Sequence, residues 1–403
     1  MRSGSAGRPA PLLVAVGAVG GLLALTSCAA GHGGAASGGS QPVMAAPVLP
    51  ASPAATPTTV APQPPAHSPR SSPFSGPAVP AAASARPAPR PLPKPLSEPN
   101  RVAPSAPTRQ SPTGAAGSPG LWPGDFPDPF VLPVAGAAGT GTMFYAYSTQ
   151  SGTTQVQTLR SPDLAHWEWV GEALPRLPPW AAYGYLWGPS VLARPTGYVL
   201  YYATRQAATG RQCISLAVSL LPQGPFVDTS SGPFICQLER GGSIDPSPFV
   251  DADGTPWLVW KSEGTLAGEP TRIWAERLSP DGRSLQGQPG ELMRADQPWE
   301  LPIVEGPSMV RMGGRYLLTY AGSRWETPGY AIGYALCTTP AGPCRKPLAG
   351  PVMGSSGSEA GPGSPSLFFD ATGALRMAYH AWTPGQVGYP GGARRLHIAA
   401  VSL

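Results

Sequence analysis

The chain has 403 residues, 55 of them Pro and 51 Gly, with 41% hydrophobic and only 12% charged residues. So sparse a charge excludes a disordered polyelectrolyte, and that apolar content suffices for a core, so the Pro and Gly must be unevenly spread. The net charge of +5 is also uneven: residues 1–120 carry eight Lys/Arg and one acid, Glu98, while the remainder is slightly acidic, which excludes a basic nucleic-acid-binding domain.

Residues 1–28 have the layout of an export leader. Arg2 and Arg8 precede PLLVAVGAVGGLLAL, a stretch too short and Gly-rich for a comfortable membrane span, and Leu25-Thr26-Ser27-Cys28 follows. That ending resembles the bacterial lipobox, which implies a lipid-modified Cys28 and a cell-surface protein anchored to a membrane without spanning it. Residues 29–120 are rich in Pro, Ala, Ser and Thr and show no hydrophobic periodicity. They are expected to form a disordered, extended tether with an upper reach of about 280 Å. Beyond Cys28 the chain holds Cys213, Cys236, Cys337 and Cys344. Four cysteines allow three pairings; export implies an oxidising compartment, and the local pairs Cys213–Cys236 and Cys337–Cys344 are preferred. Their spacings do not match a zinc site.

Residues 121–403 contain a five-fold repeat, visible once aligned on proline. The fragments DPFVL, GPSVL, SPFVD, GPSMV and SPSLF place Pro129, Pro189, Pro248, Pro307 and Pro365 at intervals of 60, 59, 59 and 58 residues. A Gly- or Asp-rich turn follows each, then a second strand (MFYAYS, YVLYYA, WLVWKS, YLLTYA, LRMAYH) and a third. Alternating apolar strands joined by Gly turns and recurring at that period predict an all-β, five-bladed β-propeller. The closure of the ring is open at this stage; residues 121–126 are a candidate outer strand.

In a propeller the first strand of each blade lines the central channel, and its start opens onto one face. Asp128, Asp245 and Glu305 stand just before the repeat prolines of blades one, three and four. Three acids at matched places are expected to converge on one end of the channel. Asp251 and Asp253, in DADG, lack the further ligands of a calcium loop and are expected in a hairpin turn.

Together, DFPDPFVL, SPDLAHWEW, LWGPSVL, IDPSPFVDADGTPWLVWK, VEGPSM and RRLHI resemble glycoside hydrolase family 43 across essentially all of residues 121–403. The family comprises five-bladed propellers that include arabinanases, α-L-arabinofuranosidases and β-xylosidases. The resemblance implies an inverting mechanism with Asp128 as general base, Glu305 as general acid, and Asp245 orienting that acid and raising its pKa. Such a reaction needs two carboxyl groups about 6.5–9.5 Å apart, with room for water, and no metal or organic cofactor. One departure stands out: Ser364, in Gly361-Pro362-Gly363-Ser364, occupies the place where many members carry a histidine near a channel ion. This argues against the endo-arabinanase subgroup and its cation. His380, in AYHAW, is expected to pack or hydrogen-bond at a strand end. Phe126, Trp187 and Trp325 are candidate stacking surfaces for sugar.

The reading is therefore a monomeric, anchored, exo-acting glycosidase releasing α-L-arabinofuranosyl units from oligosaccharide or polysaccharide. β-Xylosidase, endo-arabinanase and galactosyl-specific activities are its neighbours, and a non-catalytic carbohydrate-binding propeller is the alternative of another class.

Overall fold

The structure, a computed structural model, describes residues 120–136 and 141–402 together with a short strand, β1 (Leu13–Ala15). They fall in one compact unit. Cys28 and the segment 29–119 lie outside the described residues.

Five antiparallel sheets follow one another along the chain. Blade one is β2 (Phe130–Ala135), β3 (Thr142–Ser148), β4 (Gln157–Ser161) and β5 (Glu168–Glu172). Blade two is β6 (Ala181–Arg194), β7 (Gly197–Gln206) and β8 (Gln212–Ser219). Blade three is β9 (Ser243–Val250), β10 (Pro256–Ser262), β11 (Arg272–Arg277) and β12 (Gly290–Arg294). Blade four is β13 (Val304–Met312), β14 (Arg315–Gly322), β15 (Ala331–Cys337) and β16 (Cys344–Arg345). Blade five is β17 (Ala360–Phe369), β18 (Leu375–Trp382) and β19 (Arg395–Ser402), with β1 paired to the outer edge of β19. The innermost strands pack in a ring, β2 on β6, β6 on β9, β9 on β13, β13 on β17, and β17 back on β2. The chain is a five-bladed propeller.

Strand alternation builds its core. Successive side chains of a strand point to opposite faces. In β6 Val191 therefore joins the apolar cluster between blades one and two, while Leu192 joins the one between two and three. Met309 and Val310 divide in the same way across the faces of blade four, and Val131 and Leu132 across blade one. Apolar side chains thus bury themselves between neighbouring blades, around a central channel. Channel serines then staple the blades. Ser190 Oγ donates to Pro246 O at 2.6 Å, and Ser308 Oγ accepts from Leu367 N at 2.9 Å.

The ring closes through residues that precede blade one. Leu121 N donates to Leu396 O and Phe126 N to Arg394 O, both at 2.8 Å. Residues 121–126 thus run beside the last strand without forming a regular strand of their own. Both expected disulfides are present, Cys213–Cys236 and Cys337–Cys344. Asp251 and Asp253 lie in the hairpin turn between β9 and β10: Gly254 N donates to Asp251 O, and Thr255 N to Asp253 Oδ1.

Blade three corrects the sequence alignment. The residue before the ring proline has left-handed backbone in every blade: Asp128 (φ 52°), Gly188 (51°), Asp245 (54°), Gly306 (55°) and Ser364 (49°). The equivalent proline of blade three is therefore Pro246, and Pro248 lies two residues further along β9, toward the other end of the channel.

Candidate active site

Five left-handed X-Pro steps encircle the channel in a constriction of about 40 Å³. In blades two to five the pairing of the innermost strand breaks register at this step. A local bulge of this kind re-aims the side chains beside it. Left-handed backbone costs a non-glycine residue about 1–2 kcal/mol, least for Asp and Asn, and such strain is characteristic of functional positions. Above the constriction the channel widens into a cleft of about 760 Å³, whose lining includes Asp128, Asp245 and Glu305. The three predicted acids do converge.

Asp128 is held from four sides. Its Oδ1 accepts from Ser364 Oγ at 2.8 Å and Arg394 Nη1 at 3.3 Å, and its Oδ2 from Thr149 Oγ1 at 2.6 Å. Its backbone N–H donates to Nδ1 of the fully buried His380 at 3.1 Å, which leaves that ring's proton on Nε2. Burial by itself would raise the Asp128 pKa, but the Arg394 charge and the two hydroxyls outweigh it and hold it below the usual value. His380 is driven down to about 3, first by burial and then by Arg394, so it is neutral at ordinary pH. Its role is the hydrogen bond expected from the sequence, made to the backbone of an acid.

Asp245 differs in its surroundings. Its Oδ2 accepts from Gly306 N at 2.9 Å. Burial, then the charge of Glu305, raises its pKa to about 7. Glu305 has both oxygens occupied: Lys261 Nζ donates to Oε2 at 2.9 Å and Tyr330 OH to Oε1 at 3.0 Å. Lys261 is only 2% exposed and also pairs with Glu263 at 3.2 Å. Burial would strip its proton, but Glu305, Glu263 and Asp245 more than compensate and raise its pKa.

Of the expected sugar-stacking rings, Trp187 and Trp325 line the cleft. Trp325 stacks on Trp382 at 6.1 Å, with the Arg394 guanidinium 4.6 Å from its ring centre. Phe126 does not line it. That ring is fully buried with Val131, Phe144 and Leu159 at the junction of blades five and one, where it closes the ring's core. Ser364 donates its hydroxyl to Asp128.

Lys261, Arg394 and Tyr330 escaped the sequence reading. Lys261 left a signal in WLVWKS, a charge within a strand whose other residues bury on both faces, where an unpaired cation would be costly. Arg394 stands in RRLHI, one of the motifs that carry the family resemblance, and Tyr330 left no signal.

A profile described as glycosyl hydrolases family 43 matches residues 121–403. Among curated proteins, the chain is 26% identical over 282 residues to a β-D-galactofuranosidase of Aspergillus niger, covering 66% of this chain and 76% of that one. It is 27% identical over 194 residues to an extracellular endo-α-(1→5)-L-arabinanase of Thermotoga petrophila, covering 40% of this chain and 38% of that one. Among solved structures, a thermostable family-43 glycoside hydrolase superposes with a TM-score of 0.61 at 27% identity, over 69% of this chain and 90% of that one. An endo-1,4-β-xylanase from Bacteroides thetaiotaomicron gives 0.58 at 26% identity, over 70% and 95%.

Proposed function

The chain belongs to glycosyl hydrolases family 43 and is a glycosidase acting on carbohydrate; within that activity we propose that it releases α-L-arabinofuranosyl units with inversion. Asp128 is the general base, Glu305 the general acid, and Asp245 the carboxylate that tunes the acid. The observation carrying this reading is the unlike treatment of two matched aspartates in one cleft: Asp128 is kept ionised by Arg394, and Asp245 is pushed toward neutrality. Pairs of carboxyl groups whose surroundings drive their pKa values apart divide acid from base work.

The mechanism follows from these contacts. Asp128, ionised through the neutral range, takes a proton from water as that water attacks the anomeric carbon. Glu305, as general acid, gives its proton to the glycosidic oxygen while the bond from that oxygen to the anomeric carbon breaks. Trp187 and Trp325 offer apolar faces to the sugar rings.

A second reading is release of β-D-galactofuranosyl units, favoured by the name of the Aspergillus niger relative. The two sugars share their ring configuration, and galactofuranose carries one further exocyclic carbon. The deciding experiment is a screen of nitrophenyl α-L-arabinofuranoside, β-D-galactofuranoside and β-D-xyloside beside linear arabinan, with NMR of the first sugar formed. Inverted product from the arabinofuranoside is expected; retained configuration would refute water activation by Asp128.

Export and lipid attachment at Cys28, with residues 29–120 as tether and 121–403 as catalytic domain, belong to the same proposal. Replacing Cys28 with Ala should release the protein from the membrane fraction.

A further inference from the structure

Strand β6 supplies two separate surfaces. Its first residues, Ala181 and Ala182, pair with Gln206 and Arg205 of β7, and the register then breaks before Trp187. Trp187 lines the active-site cleft. Ala181 and Tyr183 line a second groove of about 440 Å³ together with Gln155, Arg176, Leu177 and Pro178. That volume lies within the range of about 300–1,000 Å³ usual for ligand sites.

The two hollows share a wall. Ser151 and Gly152 border the cleft, Gln155 borders the groove, and the turn between them is closed by a bridge from Ser151 to Thr154. Tyr183 is 65% exposed, yet its OH donates to Thr153 O on that turn at 3.1 Å. The ring is thus pinned at one end with its face open. A fixed exposed aromatic is a platform for the apolar face of a sugar, because little side-chain freedom remains to be lost on binding.

Gln155 supplies the second observation. It is 2% exposed, its backbone N donates to Glu172 Oε1 at 2.7 Å, and neither Nε2 nor Oε1 of its amide has a protein partner. Buried amides are nearly always hydrogen-bonded, and this one, on a residue that borders the groove, has two donors and an acceptor unused. Hydroxyl groups, each both donor and acceptor, match that set. The groove residues include one charge, Arg176, and no acid.

We propose that this groove binds a neutral polysaccharide strand beyond the unit held in the cleft, so that the polymer is gripped on both sides of the 151–154 turn. The inference rests on the glycosidase activity but on none of the catalytic assignments.

The test uses the full chain with Tyr183→Ala and, separately, Gln155→Leu; the exposed tyrosine keeps the experiment informative if the glutamine variant does not fold. Turnover is measured on the nitrophenyl glycosides and on arabinan, xylan and galactan, and retardation is measured by electrophoresis in gels containing each polymer. The expected result is a KM on polymer raised about 3- to 10-fold, reduced retardation, and unchanged turnover of aryl glycosides. Equal loss on both substrate types, no change on polymer, or a wild type that no polymer retards would overturn the groove. If no aryl glycoside is cleaved, the sugar assignment fails, and gel retardation alone then decides for or against the groove.

Discussion

Asp128 and Asp245 hold one and the same place on two blades. Each directly precedes a proline, and each has left-handed backbone, at φ 52° and 54°. Glu305 stands one residue earlier in its own blade, because Gly306 fills that place. The acid is therefore offset from the two aspartates by one step of a strand, and Gly306 N ties it to Asp245.

This arrangement separates the effects of two substitutions. Asp128→Asn and Glu305→Gln should each lower kcat/KM on natural glycosides by about 10²- to 10⁴-fold. Nitrophenyl leaving groups need little protonation, so they should restore much of the activity of Glu305→Gln and none of that of Asp128→Asn. Equal loss on both substrate types would contradict the roles.

Gly188 tests the spacing of the ring. A Cβ there would lie 3.1 Å from Asp245 Oδ1 and 3.3 Å from its Cα, whereas one at Gly210, also left-handed, would meet nothing within 4 Å. Both alanine variants should lose about 1–2 kcal/mol in denaturant unfolding, from backbone strain alone. Only Gly188→Ala should also lose activity, by about 10-fold or more, since it displaces a carboxylate. Matching activity in the two variants would show that Asp245 tolerates the shift.

Lys261→Met removes the cation between Glu305 and Glu263. Lys261 holds the Asp245 pKa down, so without it Asp245 keeps its proton to higher pH, and the alkaline limb of the kcat/KM profile should move up by about 1–3 units, with a lower maximum. An unchanged limb with reduced kcat would reduce Lys261 to a packing role.

The pH dependence of stability carries two opposing slopes. Asp245 folds with a pKa of about 7 against 3.8, so the folded state holds the extra proton and stability falls as pH rises through that window. His380 folds with a pKa of about 3 against 6.5, so the unfolded state holds the extra proton and stability rises with pH across it. Between about pH 4 and 6.5 the Tm of the wild type should be nearly level. It should rise with pH in Asp245→Asn and fall with pH in His380→Gln. Parallel profiles in all three proteins would remove both assignments.

Much of the architecture was legible in the chain because a propeller repeats short-range rules. Alternating strands such as YVLYYA, turns such as DADG, and a proline near every 59th residue set five blades in order. The same local pattern misled at SIDPSPF, where Pro246 and Pro248 compete. A slip of two residues keeps every side chain on its own face, so hydrophobic alternation cannot detect it. Phe126 failed for a related reason: closeness to Asp128 along the chain does not say which side of the backbone faces the channel.

What the amino-acid order carried by itself was the fold, the preferred pairing of the cysteines and the three acids, because each depends on spacing within a blade or on places beside the repeated prolines. What only tertiary structure decided was the company those acids keep. Arg394 reaches Asp128 across 266 positions, when blade five closes on blade one. Lys261 meets Glu305 only because blades three and four pack side by side. The charge state of a carboxyl group is set by whatever lies within a few ångströms of it, and that neighbourhood exists only after the ring has closed.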